Sequence, residues 1–266
     1  MFRAAVPPLI VLASLAGNPA AHAQSFEVAT VKPAGPLDAS AGRYIRMQSG
    51  NRFQAKNCTV RQLIAAAYNL NPRALSGGPA WAEADRYDIV ATTSGDRRPA
   101  YEEQMAMLAR LLTDRFQLTF HREKKNFAIY EITVSKTGPK LRTAQAQPDE
   151  ASNLTSVVYP AAGGGIDHIL MPGRNATMPQ FAAVLQRAVL DRPVVDSTGL
   201  TGRYDFDLDW TPDETQFEGQ LPQANPLSGK PSFFTAFQEQ LGLKIEATRG
   251  PVETLVIDGV RRPSDN

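Results

Sequence analysis

Two stretches far apart in this chain are spelled alike, and that likeness restricts the fold more than any other feature. Asn57-Cys58-Thr59-Val60-Arg61-Gln62-Leu63 and Asn175-Ala176-Thr177-Met178-Pro179-Gln180-Phe181 share Asn-x-Thr-x-x-Gln and then an apolar residue, 118 positions apart. Arg86-Tyr87-Asp88-Ile89 and Arg203-Tyr204-Asp205-Phe206 match in the same order, 117 positions apart. Two matches at nearly one offset imply a duplicated unit. The Thr…Gln spacing also has a mechanical reason. A threonine N-cap with glutamine at the third helical position closes a capping box. Helix-spaced apolar residues follow each box: Leu63, Ile64 and Ala67, then Phe181, Val184, Leu185 and Val189. Both asparagines also stand in Asn-x-Thr glycosylation sequons, but capping accounts for the threonines without sugar.

The pattern between and after these helix starts predicts an α+β protein of two related βαββ-αββ units, with helices on mainly antiparallel sheets. Phe26 to Lys32, Tyr44 to Gln48 and Arg52 to Ala55 read as strands ahead of the first helix. Tyr101 to Leu112 reads as a helix with Met105, Leu108 and Leu112 on one face, and Phe233 to Leu241 as its later counterpart, stopped by Gly242. Phe116 to His121 and Phe127 to Val134 read as a hairpin, and Leu243 to Ala247 with Thr254 to Ile257 as another. The predicted organisation is a leader over 1–23, a first unit over 24–138, a polar linker over 139–165 and a second unit over 166–266. A proline-rich loop over 211–230 interrupts the second unit.

The leader is read from chemistry at the start of the chain. Arg3 precedes an apolar run from Ala4 to Leu15, and Ala21-His22-Ala23 supplies small-x-small cleavage spacing. This predicts a secretory signal peptide cut after Ala23, and a secreted or periplasmic protein without a membrane span in its mature part. Gln24, not cysteine, follows the cut, which argues against a lipid anchor.

Charge narrows the partners. The chain carries 28 Lys+Arg against 27 Asp+Glu, a net charge of +1, so it lacks the basic footprint of a nucleic-acid binder. That balance hides an asymmetry. Residues 25–140 hold 17 basic and 11 acidic groups, and residues 141–266 hold 10 and 16. Opposed halves can dock on one another or between molecules.

No residue is nominated as catalytic, cofactor-binding or metal-ligating, and no cofactor is expected. The single cysteine, Cys58, excludes an intramolecular disulfide and a cysteine-rich metal site. It precedes a helix start, where a thiolate is favoured. Free cysteine is nevertheless usually buried, and the second stretch has Ala176 in its place, so packing is the expected role. His121 and His168 have no second ligand at metal spacing. Asp196-Ser197-Thr198-Gly199 resembles an aspartic-protease loop with one residue too many, and reads as a turn. Asp205, Asp207 and Asp209 alternate with apolar residues and so share one strand face, which reads as the solvent face of a half-buried strand rather than a calcium site, since carboxylates on one strand face cannot alone wrap an ion. Gly163-Gly164-Gly165 opens no phosphate loop. Trp81, just past Gly77-Gly78-Pro79, reads as an anchor for that turn.

Ser25-Phe26-Glu27-Val28-Ala29-Thr30-Val31-Lys32-Pro33, Gly77-Gly78-Pro79-Ala80-Trp81 and the long run Val194-Val195-Asp196-Ser197-Thr198-Gly199-Leu200-Thr201-Gly202-Arg203-Tyr204-Asp205-Phe206 together resemble a soil-associated family of secreted proteins expanded in Acidobacteria. That family brings no catalytic or binding residues to transfer. In some relatives a similar domain follows a membrane metallopeptidase like those of β-lactam sensor systems. The resemblance therefore implies a non-enzymatic extracytoplasmic binding, interaction or sensing module, whose partner is a protein or a small-molecule ligand. The competing expectation is a secreted hydrolase of envelope or soil polymers.

Overall fold

The computed structural model describes residues 25–35, 43–95, 98–145, 150, 152–219, 221–225 and 227–264. The leader and its cleavage site lie outside them. The first half runs β1 (Val28–Pro33), β2 (Tyr44–Met47), β3 (Arg52–Thr59), α1 (Val60–Ala67), β4 (Leu75–Gly77), α2 (Trp81–Ala84), β5 (Arg86–Thr92), α3 (Tyr101–Phe116) and β6 (Thr119–Val134). The second runs β7 (Arg142–Thr143), β8 (Asn153–Leu154), β9 (Val157–Pro160), β10 (Ile166–Ala176), α4 (Met178–Val184), β11 (Val194–Asp196), β12 (Tyr204–Trp210), α5 (Phe233–Leu241) and β13 (Leu243–Gly259). The class is α+β, as expected. One antiparallel sheet has the order β1-β5-β3-β2, and a second has β7-β12-β10-β8 with β9 also on β10. A third, β11-β6-β13-β4, joins strands from both halves.

Both matched stretches build the same local structure. In each, a bulge leaves an asparagine in the left-handed region, Asn57 at φ 55° and Asn175 at φ 50°. Asparagine is among the few side-chain-bearing residues that visit this region routinely. The Asn57 N–H donates to Asp88 Oδ1 at 2.8 Å, and the Asn175 N–H to Asp205 Oδ1 at 2.9 Å. Arg86 donates to the Asn57 carbonyl at 3.0 Å, and Arg203 to that of Asn175 at 2.9 Å. The capping boxes then start α1 and α4: Thr59 with Gln62, and Thr177 with Gln180. The Arg-Tyr-Asp and Asn-x-Thr-x-x-Gln elements are thus the two sides of one hydrogen-bonded corner.

The third sheet corrects the two predicted hairpins. β6 and β13 are each a single strand, and they pair with one another from Leu243↔Val134 to Gly259↔Thr119. Lys124-Lys125-Asn126 and Arg249-Gly250-Pro251 look like turns because they are polar or contain Gly and Pro. They lie in the middle of the ribbon, where Lys124, Lys125, Asn126, Arg249 and Pro251 are exposed and no core demands apolar residues. The buried apolar side chains that enter the two cores lie on either side of that middle. Tyr130 and Ile132 of β6 join the core of the second half, with Phe181, Trp210, Phe233 and Phe237. Leu255 and Ile257 of β13 join the core of the first half, with Phe53, Leu63, Leu108 and Phe116. Burying each of these four side chains contributes roughly 1.5–3 kcal/mol. Parallel pairing extends the exchange. β4 of the first half lies on β13, and β11 of the second half lies on β6. Gly77 serves the first contact: a Cβ there would meet the Ile257 carbonyl oxygen at 2.6 Å.

The segment read as a linker adds β7, β8 and β9 to the second sheet. The proline-rich loop is pinned by the buried Gln216, whose Oε1 accepts from Trp210 Nε1 at 2.7 Å. Opposite charges do meet across the halves, as Arg73 with Asp191 at 3.1 Å and Arg122 with Glu253.

Candidate functional site

The two halves leave a cleft of about 640 Å³ between them. Its walls are β2, the segment entering α3, β8, and α4 with the helical turn that continues it. A second cavity of about 540 Å³ adjoins it, and Ile45, Tyr101 and Arg187 line both. Each volume falls within the usual range for small-molecule sites.

Local bonding fixes these walls. At the start of α3 the Glu103 carboxylate accepts from the Ala100 N–H at 2.6 Å, and Gln104 donates to the Pro99 carbonyl at 2.8 Å. This sets Tyr101 and Glu102 at the cleft. The capping glutamine of α4 also reaches across, Gln180 Nε2 donating to Glu102 at 2.6 Å. Beyond α4 the helix widens into a π turn, Leu185–Val189. A side chain from the first half caps its end. Asn71, buried in the first half, donates to the carbonyls of Gln186 at 2.7 Å and Leu190 at 3.4 Å. π turns are common at functional sites.

The π turn carries Arg187. Its guanidinium lies over the Tyr101 ring, 4.5 Å from the centroid. Among the described residues no carboxylate pairs with it. Loss of solvent around it pushes its pKa down to about 10. Arg46 lines the same cleft and lies over Tyr44 at 4.4 Å, and Arg98 is exposed at its edge. Glu102 is the cleft's one carboxylate among the described residues, so the cleft is net positive.

The residues weighed from sequence lie elsewhere or serve the fold. Cys58 is buried at the edge of the second cavity, and burial pushes its thiol up to about 12. His121 stands on the ribbon between Asp258 at 2.8 Å and Glu123 at 3.2 Å, which raise its pKa. His168 stacks on Tyr159, 4.4 Å between centroids, beside Asp167 at 2.8 Å. Neither histidine lines the cleft. Asp205 holds its corner, Asp207 pairs with Arg174 at 2.7 Å, and Asp209 pairs with Lys230. Asp196 accepts from Thr198 within its turn, and Trp81 lies under Arg262 at 4.8 Å. Among the described residues no group of three or more His, Cys, Asp or Glu is placed to hold a metal. None of their helices is long and apolar enough to cross a membrane.

Sequence reasoning nominated none of the cleft residues. Arg46, Tyr101 and Arg187 are distant in the chain and share no local spacing. One signal was available: Arg187 is the sole charge within Phe181-Ala-Ala-Val-Leu-Gln-Arg-Ala-Val-Leu190. No curated protein and no solved structure matches the chain. A family model does match residues 61–260, and with three quarters of its length so covered the chain belongs to the DUF3738 family, described as proteins of unknown function.

Proposed function

We propose that this protein is an exported binding or sensing module that takes a small ligand in the cleft between its halves. The observation that carries the reading is the cleft itself: two adjoining cavities, walled by both halves and lined by polar groups that no catalytic set explains. The leader ending at Ala23 directs the chain out of the cytoplasm, where the soil-associated relatives are also placed. The paired corners at Asn57 and Asn175 support an origin by duplication, with the ligand seated where the two copies meet.

The test is a thermal-shift screen of residues 24–266 against metals, sugars, peptidoglycan fragments, peptides and β-lactams. A ligand at 100 times its Kd contributes about 2.7 kcal/mol. The expected result is at least one saturable hit that is lost in Ala183→Trp, which places an indole in the cleft. Hits that survive that substitution would refute the cleft as the site.

A further inference from the structure

Arg187 is an exception among the partly buried cations of this protein. Arg61 donates to the Leu75 carbonyl at 2.7 Å and pairs with Glu83 at 3.1 Å. Arg203 donates to the Asn175 carbonyl, and Arg192 pairs with Asp191 at 3.4 Å. Arg187 has the Tyr101 face and, among the described residues, no hydrogen-bond acceptor. Packing does not account for this. An uncharged side chain of similar length would cover Tyr101 without the cost of stripping water from a guanidinium. The neighbouring carboxylate, Glu102, is held by Gln180 rather than by Arg187. A guanidinium desolvated on one face, with donors unused, is the usual receptor for a planar or tetrahedral oxyanion, which it can bind through two parallel hydrogen bonds.

The surroundings extend the assignment. Arg46 and Arg98 line the same cleft, and neither has a carboxylate partner among the described residues. On the far side of Arg187 the second cavity has an apolar wall of Ala65, Ala66, Pro72, Phe217 and Leu221, with Arg43 and Gln62 also lining it. The site therefore joins two lobes of mixed lining across a single arginine.

We propose that the ligand carries a carboxylate or phosphate head seated on Arg187 in the cleft, with its apolar body against the Ala65, Ala66, Pro72 and Leu221 wall of the adjoining cavity. This rests on the cleft being the binding site. It narrows that reading to one ligand class, the amphipathic oxyanions.

Four probes with one body separate head-group chemistry: octanoate, octyl phosphate, octanol and octylamine. Titration calorimetry below their micelle concentrations is run on wild type, Arg187→Met, Arg46→Gln and Ala183→Trp, each first checked for a native melting transition. The expected result is that at least one anionic probe binds wild type tenfold or more tightly than octanol, and that octylamine does not bind. Arg187→Met then loses tenfold or more for the anion and nothing for octanol. The better of the two anions identifies the head group. Equal binding of octanol, or anion binding undiminished in Arg187→Met, overturns the oxyanion assignment and leaves the cleft reading intact. Binding that survives Ala183→Trp overturns both. Absence of binding by all four probes overturns the assignment, and the broader ligand screen then decides the cleft reading separately.

Discussion

Replacing Arg187 by methionine should make the unliganded protein more stable. The guanidinium is ordinarily near 12.5, and burial pushes it down to about 10. At about 1.4 kcal/mol per pKa unit this corresponds to roughly 3 kcal/mol of hydration lost on folding. Residual exposure reduces that figure, and the Tyr101 face returns about 1 kcal/mol as a cation–π contact. Methionine keeps the stem and packs well on an aromatic ring. The net expectation is a gain of about 1–2 kcal/mol, or a Tm higher by roughly 3–6 °C in a chain of this size. The sign of the pH dependence follows from the lowered pKa. The unfolded state holds this proton more tightly, so the penalty is complete below about 10 and fades only as the pH rises toward 12.5. The gain should therefore be equal at pH 5 and pH 8. Calorimetric melting of both proteins at both pH values measures it. A loss of 1 kcal/mol or more in Arg187→Met would refute the reasoning, because the charge would then be a structural requirement.

Cys58 should be silent to thiol reagents in the native protein at pH 8 and react only at the rate of unfolding, since burial holds it protonated up to about 12; fast labelling would contradict this. Asp88→Ala and Asp205→Ala should each cost about 1–3 kcal/mol in urea melts, because each orphans a backbone N–H and loses a charge-assisted bond. A negligible loss at either corner would show that water replaces the carboxylate there. Ile257→Ala should cost about 2–5 kcal/mol. It should lower the transition followed by Trp210 fluorescence as well as by circular dichroism, although the two residues lie in different cores.

Local chemistry was legible in the sequence and distant assembly was not. The capping boxes at Thr59 and Thr177 involve residues three apart, so both helix starts could be read directly. The same holds for the Gly242 stop after α5, which adopts φ 63°. The long strands were misread because their polar middles carry the composition of turns. Nothing local to Lys124-Lys125-Asn126 reveals that Pro251-Val252-Glu253 lies alongside it. The cleft was invisible for a related reason. Its walls are tied by contacts such as that of Asn71 with the Gln186 carbonyl, more than a hundred residues later, which leave no spacing pattern. The lone charge of Arg187 in an apolar run marked the place without disclosing the geometry.

The strand exchange has a consequence for how the chain is made. Synthesis proceeds from the N-terminus, and the first core waits for Leu255 and Ile257, among the last dozen described residues. β6 meanwhile has no long partner until β13 follows it. Such pairing between distant segments is slow, since the intervening chain must be ordered before the contact repays its entropy. Most of the sixteen residues of β6 thus wait for their partner until β13 has been made, with only residues 130–132 able to pair earlier, with β11. A fragment ending before β13 would keep an edge ready to pair with a neighbour.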